Sequence, residues 1–175
     1  MSLSEPTDVI QIASLLRAQA TAIRAETEAL GDTLCRWRPA EGEWCVNEVL
    51  GHLIEAERRG FNGRIRTMLA EDEPELESWD QEAVARERRD HERASRDLVA
   101  EFETLREDSA QLVESLRPDQ LDRFGHHPLV GRVTVRDLLN EWVHHDRNHV
   151  KQMLSNVQAY VWPRMGNARR FSQLE

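Results

Sequence analysis

The feature that most restricts the fold is a series of four long segments in which apolar residues recur every three or four positions. This spacing puts apolar side chains on one face of an α-helix, and clusters of Gly and Pro separate the segments. We predict helices over about residues 7–30, 46–70, 80–116 and 135–160. Because few segments show the alternation of a strand, the pattern predicts an all-α fold, a four-helix bundle.

Two of the connections between the predicted helices are long for a helical bundle. Residues 33–44 and 119–133 are predicted loops of more than ten residues, and loops of that length often have a functional role. His126 and His127 lie in the second loop. Loop histidines are usually exposed, so we expect these two at the surface, with a place in a pocket as the alternative.

Composition and charge exclude several classes of protein. The formal net charge is −9 and arginines are mixed with acidic residues along the chain, so no basic nucleic-acid-binding face is expected. The apolar runs are too short to span a membrane, and the N-terminus lacks a secretion-signal pattern. Cys35 and Cys45 are too few for a disulfide framework and are expected to be free thiols. We expect one cytoplasmic domain over residues 1–175, with an irregular tail over 161–175.

Two histidines in the predicted fourth helix have the spacing of a metal-binding pair. His145 and His149 are four residues apart and continue the apolar stripe that contains Trp142 and Met153. Both imidazoles are therefore expected to point into the bundle, about one turn apart. Gln152 lies on the same side, three positions after His149. A buried histidine needs partners, and the pattern leaves a metal ion and ordinary hydrogen bonds in the core as alternatives.

A third histidine comes from the predicted second helix. His52 lies at the edge of a wide apolar arc, with Glu48 and Glu55 about one turn away on either side. A carboxylate at that distance can orient a metal-binding imidazole by accepting its outer N–H, although both glutamates also fit a simple surface position. Three neutral imidazoles from two helices would leave open positions on a divalent metal, which is typical of a reactive site.

Two segments resemble a known family. The segment Trp44-Cys-Val-Asn-Glu-Val-Leu-Gly-His52-Leu resembles the W-S-x-x-E-V-L-x-H-L element of the DinB-like superfamily. A second element is similar to Val133-Thr-Val-Arg-Asp-Leu-Leu, followed by Trp142 and by His145-Asp-x-x-His149-x-x-Gln152. The resemblance extends from the first helix to Gln152. One departure is Cys45, where the family commonly has Ser or Thr.

The resemblance implies a fold, a metal site and a class of activity. The fold would be a four-helix bundle of up-down-down-up topology with a long crossover, often dimeric. The family's metal ligands correspond to His52, His145 and His149, with nickel or zinc expected, and iron or manganese as alternatives. Characterised relatives are transferases or isomerases that use low-molecular-weight thiols such as bacillithiol or mycothiol. Many others are described as metal-dependent hydrolases without an assigned substrate.

We therefore expect a metal-dependent enzyme that activates a thiol or a water molecule, as an S-transferase or a hydrolase, on a small-molecule substrate. Glu48, Glu55 and Gln152 are predicted to support the ligands or line the pocket, and Trp44 and Trp142 are predicted to wall it. The alternatives are a metal-binding or ligand-binding bundle without turnover, and a purely structural bundle. Wide apolar arcs on the first two helices lead us to expect a homodimer.

Overall fold

The computed structural model describes residues 8–173. Its α-helices are α1 (Val9–Cys35), α2 (Val46–Glu55), α3 (Asn62–Ala70), α4 (Gln81–Arg88), α5 (Ser95–Glu114) and α6 (Val135–Val161). A π-helical segment, Ala56–Phe61, joins α2 to α3 without a break. A hairpin of two antiparallel strands, β1 (Phe124–His127) and β2 (Gly131–Thr134), precedes α6. Short 3-10 turns cover Asp90–Glu92, Pro118–Gln120, Trp162–Arg164 and Gly166–Gln173.

The long helices form a four-helix bundle, as predicted, and side-chain contacts fix their directions. α1 and α5 are antiparallel, because Arg17 bonds to Glu107 while Asp32 accepts from the backbone of Ser95, at the start of α5. α2 and α5 are parallel, since Asn47 contacts the backbone of Arg93 and Asn62 bonds to Ser109.

α6 runs antiparallel to the helix that α2 begins. Trp142, in the first half of α6, bonds to Glu57, and Asn156, near its end, bonds to the backbone of Trp44. The topology is therefore up-down-down-up. The second and third bundle helices run in the same direction, so the chain needs a long crossover over residues 71–94 to return between them.

The core consists of two apolar clusters with a polar layer between them. One cluster includes Leu16, Phe61, Ile65, Leu139 and Trp142, and the other includes Ile23, Leu50, Ile54, Phe102 and Met153. His145 and His149 lie between these two groups along α6, and His52 lies on α2 among residues of the second group. Within residues 8–173, no helix is both long and apolar enough to cross a bilayer.

The prediction of one helix over residues 80–116 is wrong, because α4 and α5 are separate. Arg89 adopts a left-handed conformation with φ 52°, which ends α4. Asp90 follows, is 1% exposed, and accepts hydrogen bonds from Arg88 and Arg93. The break therefore places the Asp90 carboxylate inside the fold. The sequence did not indicate this break, because the alternating charges of the segment are typical of a solvated helix face.

The predicted loop over residues 119–133 contains the β-hairpin. A third segment of backbone adds to it, since the Leu76 N–H donates to His126 O at 2.8 Å and the His126 N–H donates to Pro74 O at 2.8 Å. The crossover is thus fastened to the hairpin. The predicted irregular tail over residues 161–175 is also partly wrong, because 3-10 turns occupy much of it up to Gln173.

The ends of the first helix are partly as predicted. Asp8 caps α1 by accepting from the backbone N–H groups of the residues two and three positions later. The predicted start at Thr7 lies outside the described residues. The range predicted for this helix ends at residue 30, where Gly31 forms a kink with φ 63° and ψ 172°, and the chain continues helically beyond it to Cys35.

Candidate metal centre

Three histidine side chains converge where α2 faces α6. His52, His145 and His149 each offer a ring nitrogen, and these atoms all lie within 4.8 Å of one another. The Nε2 atoms of His52 and His145 are 3.0 Å apart. Metal–nitrogen bonds of about 2.0–2.1 Å at tetrahedral or right angles place ligand nitrogens roughly 2.9–3.4 Å apart. The separation of the His52 and His145 donor atoms therefore fits a divalent transition metal, and the His149 nitrogen is close enough to complete the group.

The protonation of the rings also fits a metal. His52 is 6% exposed, and burial, followed by the nearby His149 and His145, lowers its pKa to about 3. Burial and then His145 lower the pKa of His149 as well. Both rings are consequently neutral near pH 7, and a neutral imidazole has the lone pair that metal coordination requires.

The outer nitrogens of the rings differ in their partners. The Nδ1–H of His149 donates to Gln152 Oε1 at 3.0 Å, which leaves Nε2 free to face the other histidines. The Nδ1 of His145 is buried and lies 3.7 Å from Asp146 Oδ1, and neither atom forms a hydrogen bond with a described residue. A small adjustment would join these two atoms in the carboxylate–histidine pair common at metal sites. The Nδ1 of His52 is buried and has no hydrogen-bond partner among the described residues.

A buried ionic network lies behind His145. Arg106 is 1% exposed, and its guanidinium forms ion pairs with the carboxylates of Asp146 and Glu57, each with an N–O distance of 2.5 Å. Burial raises the pKa of Glu57 to about 7, against the effect of the Arg106 charge. Burial also opposes ionisation of Asp146, but the charge of the Arg106 guanidinium and the adjacent His145 hold its pKa below its ordinary value. Asp146 is thus an anion that fixes one edge of the site.

Glu48 and Glu55 are buried, but each is engaged with groups other than the histidines. Glu48 accepts from the Cys45 backbone N–H at 2.9 Å and pairs with Arg38. Glu55 pairs with Arg88 at 2.7 Å and with other arginines. Among the described residues, no hydrogen bond joins either carboxylate to a histidine ring. Their predicted role in supporting the ligands stays a prediction.

The two predicted pocket tryptophans lie on different sides of the site. The Trp44 ring centroid is 5.4 Å from that of His52, and Trp44 lines a small cleft of about 230 Å³ together with His149 and Gln152. Trp142 is fully buried and stacks on Phe61 at 5.0 Å. It supports Phe61, which does line the large cavity beside the site.

Sequence reasoning missed Trp79, whose ring packs against the candidate metal centre. Its ring stacks on His52 with the centroids 5.6 Å apart and an interplanar angle of 26°, and the Arg59 guanidinium lies over the Trp79 ring, 5.6 Å from its centroid. Trp79 belongs to the crossover, where no periodicity indicates which side chains turn inward. The only available signal was a tryptophan in an otherwise acidic, proline-containing segment.

A cavity of about 920 Å³ opens beside the histidines. Its lining combines His52 and His145 with an apolar wall and several charged groups. The apolar residues are Ala56, Phe61, Trp79, Leu129, Val130, Val133 and Leu138, and the charged ones are Arg64, Asp80, Glu82, Asp137 and Glu141. His127, from the predicted loop, also lines it. The cavity is large enough for a small organic substrate whose one end reaches the histidines.

Comparisons with known proteins agree with this arrangement. The sequence pattern of the DinB superfamily matches residues 15–153. An uncharacterized protein of Bacillus subtilis, YuaE, is 24% identical over 139 residues, covering 73% of this chain and 86% of that protein. The Oceanobacillus iheyensis protein named "Putative metal-dependent hydrolase OB0782" is 22% identical over 121 residues, covering 69% of each chain.

One solved structure has the same fold. YfiT from Bacillus subtilis, described as "a probable metal-dependent hydrolase with an unusual four-helix bundle topology", superposes with a TM-score of 0.80 at 18% identity. The superposition covers 90% of this chain and 91% of YfiT. At this level of identity the likeness establishes the architecture, and the chemistry must be argued from the residues themselves.

Proposed function

This chain belongs to the DinB superfamily, and we propose that it is a metal-dependent enzyme that activates a water molecule or a thiol against a small organic substrate. The observation that carries the proposal is the convergence of the three histidine nitrogens within 4.8 Å. Two similar proteins that are described as metal-dependent hydrolases support a metal-dependent enzyme. Nickel or zinc is the expected ion, because imidazole ligands suit both, with iron or manganese as alternatives.

Each part of the site has a distinct task in this proposal. A divalent ion held by three imidazoles acts as a Lewis acid that lowers the pKa of a water or thiol and polarises a substrate. His52, His145 and His149 would hold it, and Gln152 keeps the Nε2 of His149 turned inward. Phe61 and the apolar wall receive the substrate and exclude bulk water from the reacting end of the cavity.

The cavities on either side of the histidines bear on the choice of nucleophile. The large cavity reaches His52 and His145, whereas the small cleft reaches His149 and Gln152. Gln81 and Glu82 line both spaces. Two openings suit two reactants that meet at one centre, as in transfer of a substrate group to a low-molecular-weight thiol. A water molecule needs no such second opening, so this arrangement favours the thiol.

Elemental analysis tests the metal. We expect about one nickel, zinc, iron or manganese ion per wild-type chain and its loss from His52→Ala and His145→Ala, since a three-ligand site does not survive loss of a ligand. His144→Ala is the matched control, because His144 is exposed on the same helix and should keep the ion. Wild-type protein that stays metal-free after reconstitution with each of the four ions would refute the proposal.

Activity assays then separate the two nucleophiles. The metal-loaded protein is incubated with a nitrophenyl ester, and separately with a chromogenic aryl chloride plus bacillithiol or mycothiol. Release of nitrophenol without a thiol would assign hydrolysis, and thiol-dependent loss of chloride would assign transfer. Either activity should disappear in His145→Ala and persist in His144→Ala. Turnover that is unchanged in His145→Ala would contradict catalysis at this site.

We also propose a cytoplasmic homodimer. The apolar arc of α2 is covered within one chain, since every residue from Val46 to Glu55 is buried. The dimer therefore depends on the resemblance and on apolar side chains that remain exposed near the end of α6, among them Leu154, Val161 and Trp162. Light scattering over a micromolar range should give twice the 20.3 kDa chain mass, and a monomer mass throughout would refute it.

A further inference from the structure

One arginine in the wall of the large cavity has no acidic partner in the described part of the chain. Arg64 is half-buried, and its Nε atom is buried without a hydrogen bond to any described residue. Its Nη2 donates to Glu77 O at 2.9 Å. Within residues 8–173, no carboxylate forms an ion pair with it, whereas the neighbouring Arg66 pairs with Asp108 at 3.0 Å. A buried guanidinium normally has an anion beside it, because burying an unpaired charge is unfavourable.

The same corner of the cavity contains more hydrogen-bond donors than acceptors. Arg64 Nη2 lies 3.1 Å from His127 Nε2, and the Leu129 backbone N–H points at His127 Nδ1 at 3.3 Å. A neutral imidazole accepts at only one nitrogen. Among residues 8–173, at least one of these N–H groups therefore has no acceptor, and a protonated ring would leave both without one.

The surrounding charges do not neutralise this corner. Burial lowers the pKa of Arg64, and only the charge of the exposed Glu77 acts in the opposite direction. Four acidic side chains line the cavity, Asp80, Glu82, Asp137 and Glu141, and within residues 8–173 none of them forms an ion pair with Arg64. Asp80 has its carboxylate in the cap of α4. Asp137 likewise accepts from Thr134 in the cap of α6. Both carboxylates are held by backbone N–H groups of their own helices, and neither is bonded to Arg64.

We propose that the large cavity binds an organic anion with an apolar body, and that Arg64 and His127 bind its carboxylate-type head group. The body would lie against Phe61, Val133 and Leu138, with its other end at the histidine cluster. This inference rests on the proposed function for the identity of the reacting end, but the anion subsite itself is independent of the metal. It predicts that neutral analogues of the substrate bind weakly.

Calorimetric titration of the full chain tests the subsite with octanoate and its neutral analogue octanamide. We expect octanoate to bind at least about 10-fold more tightly, as charge-assisted hydrogen bonds predict. Arg64→Met, which keeps the length of the side chain, should abolish this preference, and Arg64→Lys should retain part of it. Arg66→Met is the matched control on α3, and it should leave the preference intact.

The outcomes distinguish this inference from the metal proposal. If the wild type binds octanoate and octanamide with equal affinity, the anion subsite is refuted, and no variant is needed for this conclusion. A preference that persists in Arg64→Met but vanishes in the metal-free His145→Ala protein also overturns it, because the carboxylate would then be bound by the metal. A preference that depends on Arg64 and survives in His145→Ala supports it, even if elemental analysis finds no metal in the wild type.

Discussion

Replacing Arg106 by methionine is expected to lower the free energy of unfolding by about 3–5 kcal/mol at pH 7, as loss of one partner from a buried ion pair does. Arg106 is one of the least exposed side chains of the protein, at 1%, and so are Glu57 and Asp146. Methionine fills most of the volume but leaves both carboxylates without the cation. The expected loss of stability comes from these unpaired buried carboxylates.

The size of the effect is limited by proton uptake at Glu57. Two uncompensated buried carboxylates would cost more than one, but the pKa of Glu57 is already raised to about 7. Glu57 can therefore take up a proton near pH 7, so that mainly Asp146 remains as an unpaired buried charge. For a chain of this length, 3–5 kcal/mol corresponds to a fall in melting temperature of roughly 6–20 °C. It is also a large share of a typical total stability of about 5–15 kcal/mol.

Urea unfolding followed by circular dichroism measures this loss. Arg66→Met is the matched control, because its ion pair with Asp108 is more than half exposed on both sides and should contribute less than about 1 kcal/mol. The difference between the two variants should shrink as the pH falls and the carboxylates become protonated. If Arg106→Met were within about 1 kcal/mol of Arg66→Met at pH 7, the network would not have the energetic role assigned to it.

Three further predictions follow from local geometry. Gly51→Ala should lower the free energy of unfolding by about 1–3 kcal/mol by overpacking, because its Cβ would lie 1.8 Å from the buried Asp90 carboxylate; urea unfolding measures it. Gln152→Leu should weaken metal binding by about 10-fold, since it removes the acceptor for His149 Nδ1–H; competition with a chromophoric chelator measures it. The pKa of Glu57 is about 7 instead of 4.5, so its contribution to stability is full below pH 4.5 and is lost as the pH rises through 7. Urea unfolding across that range should show a steeper fall for the wild type than for Glu57→Gln.

Matched controls exist for these variants. Gly60→Ala places a Cβ 3.6 Å from Ala56, an ordinary contact, and should not destabilise the protein. Gln158→Leu changes an exposed glutamine on the same helix and should leave metal affinity unchanged. Equal stabilities for the two alanine variants, or equal affinities for the two leucine variants, would contradict the respective argument. Parallel pH profiles for the wild type and Glu57→Gln would contradict the third.

The bundle could be predicted from the sequence because its helices bury apolar stripes with a regular period. The bounds of α6 agree with the predicted range to within one residue. The predicted second helix is covered by α2, the π-helical segment and α3 together. The break between α4 and α5 could not be predicted in the same way. It depends on the contact of Asp90 with Arg88 and Arg93, and no local pattern distinguishes a buried aspartate from its many exposed neighbours.

The candidate site likewise contains some residues that the sequence could predict and others that it could not. His145 and His149 were found because they share a helix, and their spacing is visible in the chain. Trp79 and His127 come from the crossover and the hairpin, and they meet the site only because these two segments are attached to each other. Arg64 lies on the same continuous helix as His52, but the π-helical segment between them changes the face on which it lies. Long-range contacts of this kind leave no period in the sequence, so only the three-dimensional structure identifies these residues.

The π-helical segment Ala56–Phe61 determines which residue faces which end of the cavity. Arg64 lies twelve positions after His52, and at about 100° per residue an uninterrupted α-helix would leave the two side chains roughly 120° out of phase. The wider π turn takes up one additional residue and brings them onto the same face, where both line the cavity. A chain that lost one residue in this segment would keep its three histidines in place and present a different side chain to the far end of the cavity. A single insertion or deletion here can therefore change the lining of the cavity while the histidine cluster is conserved.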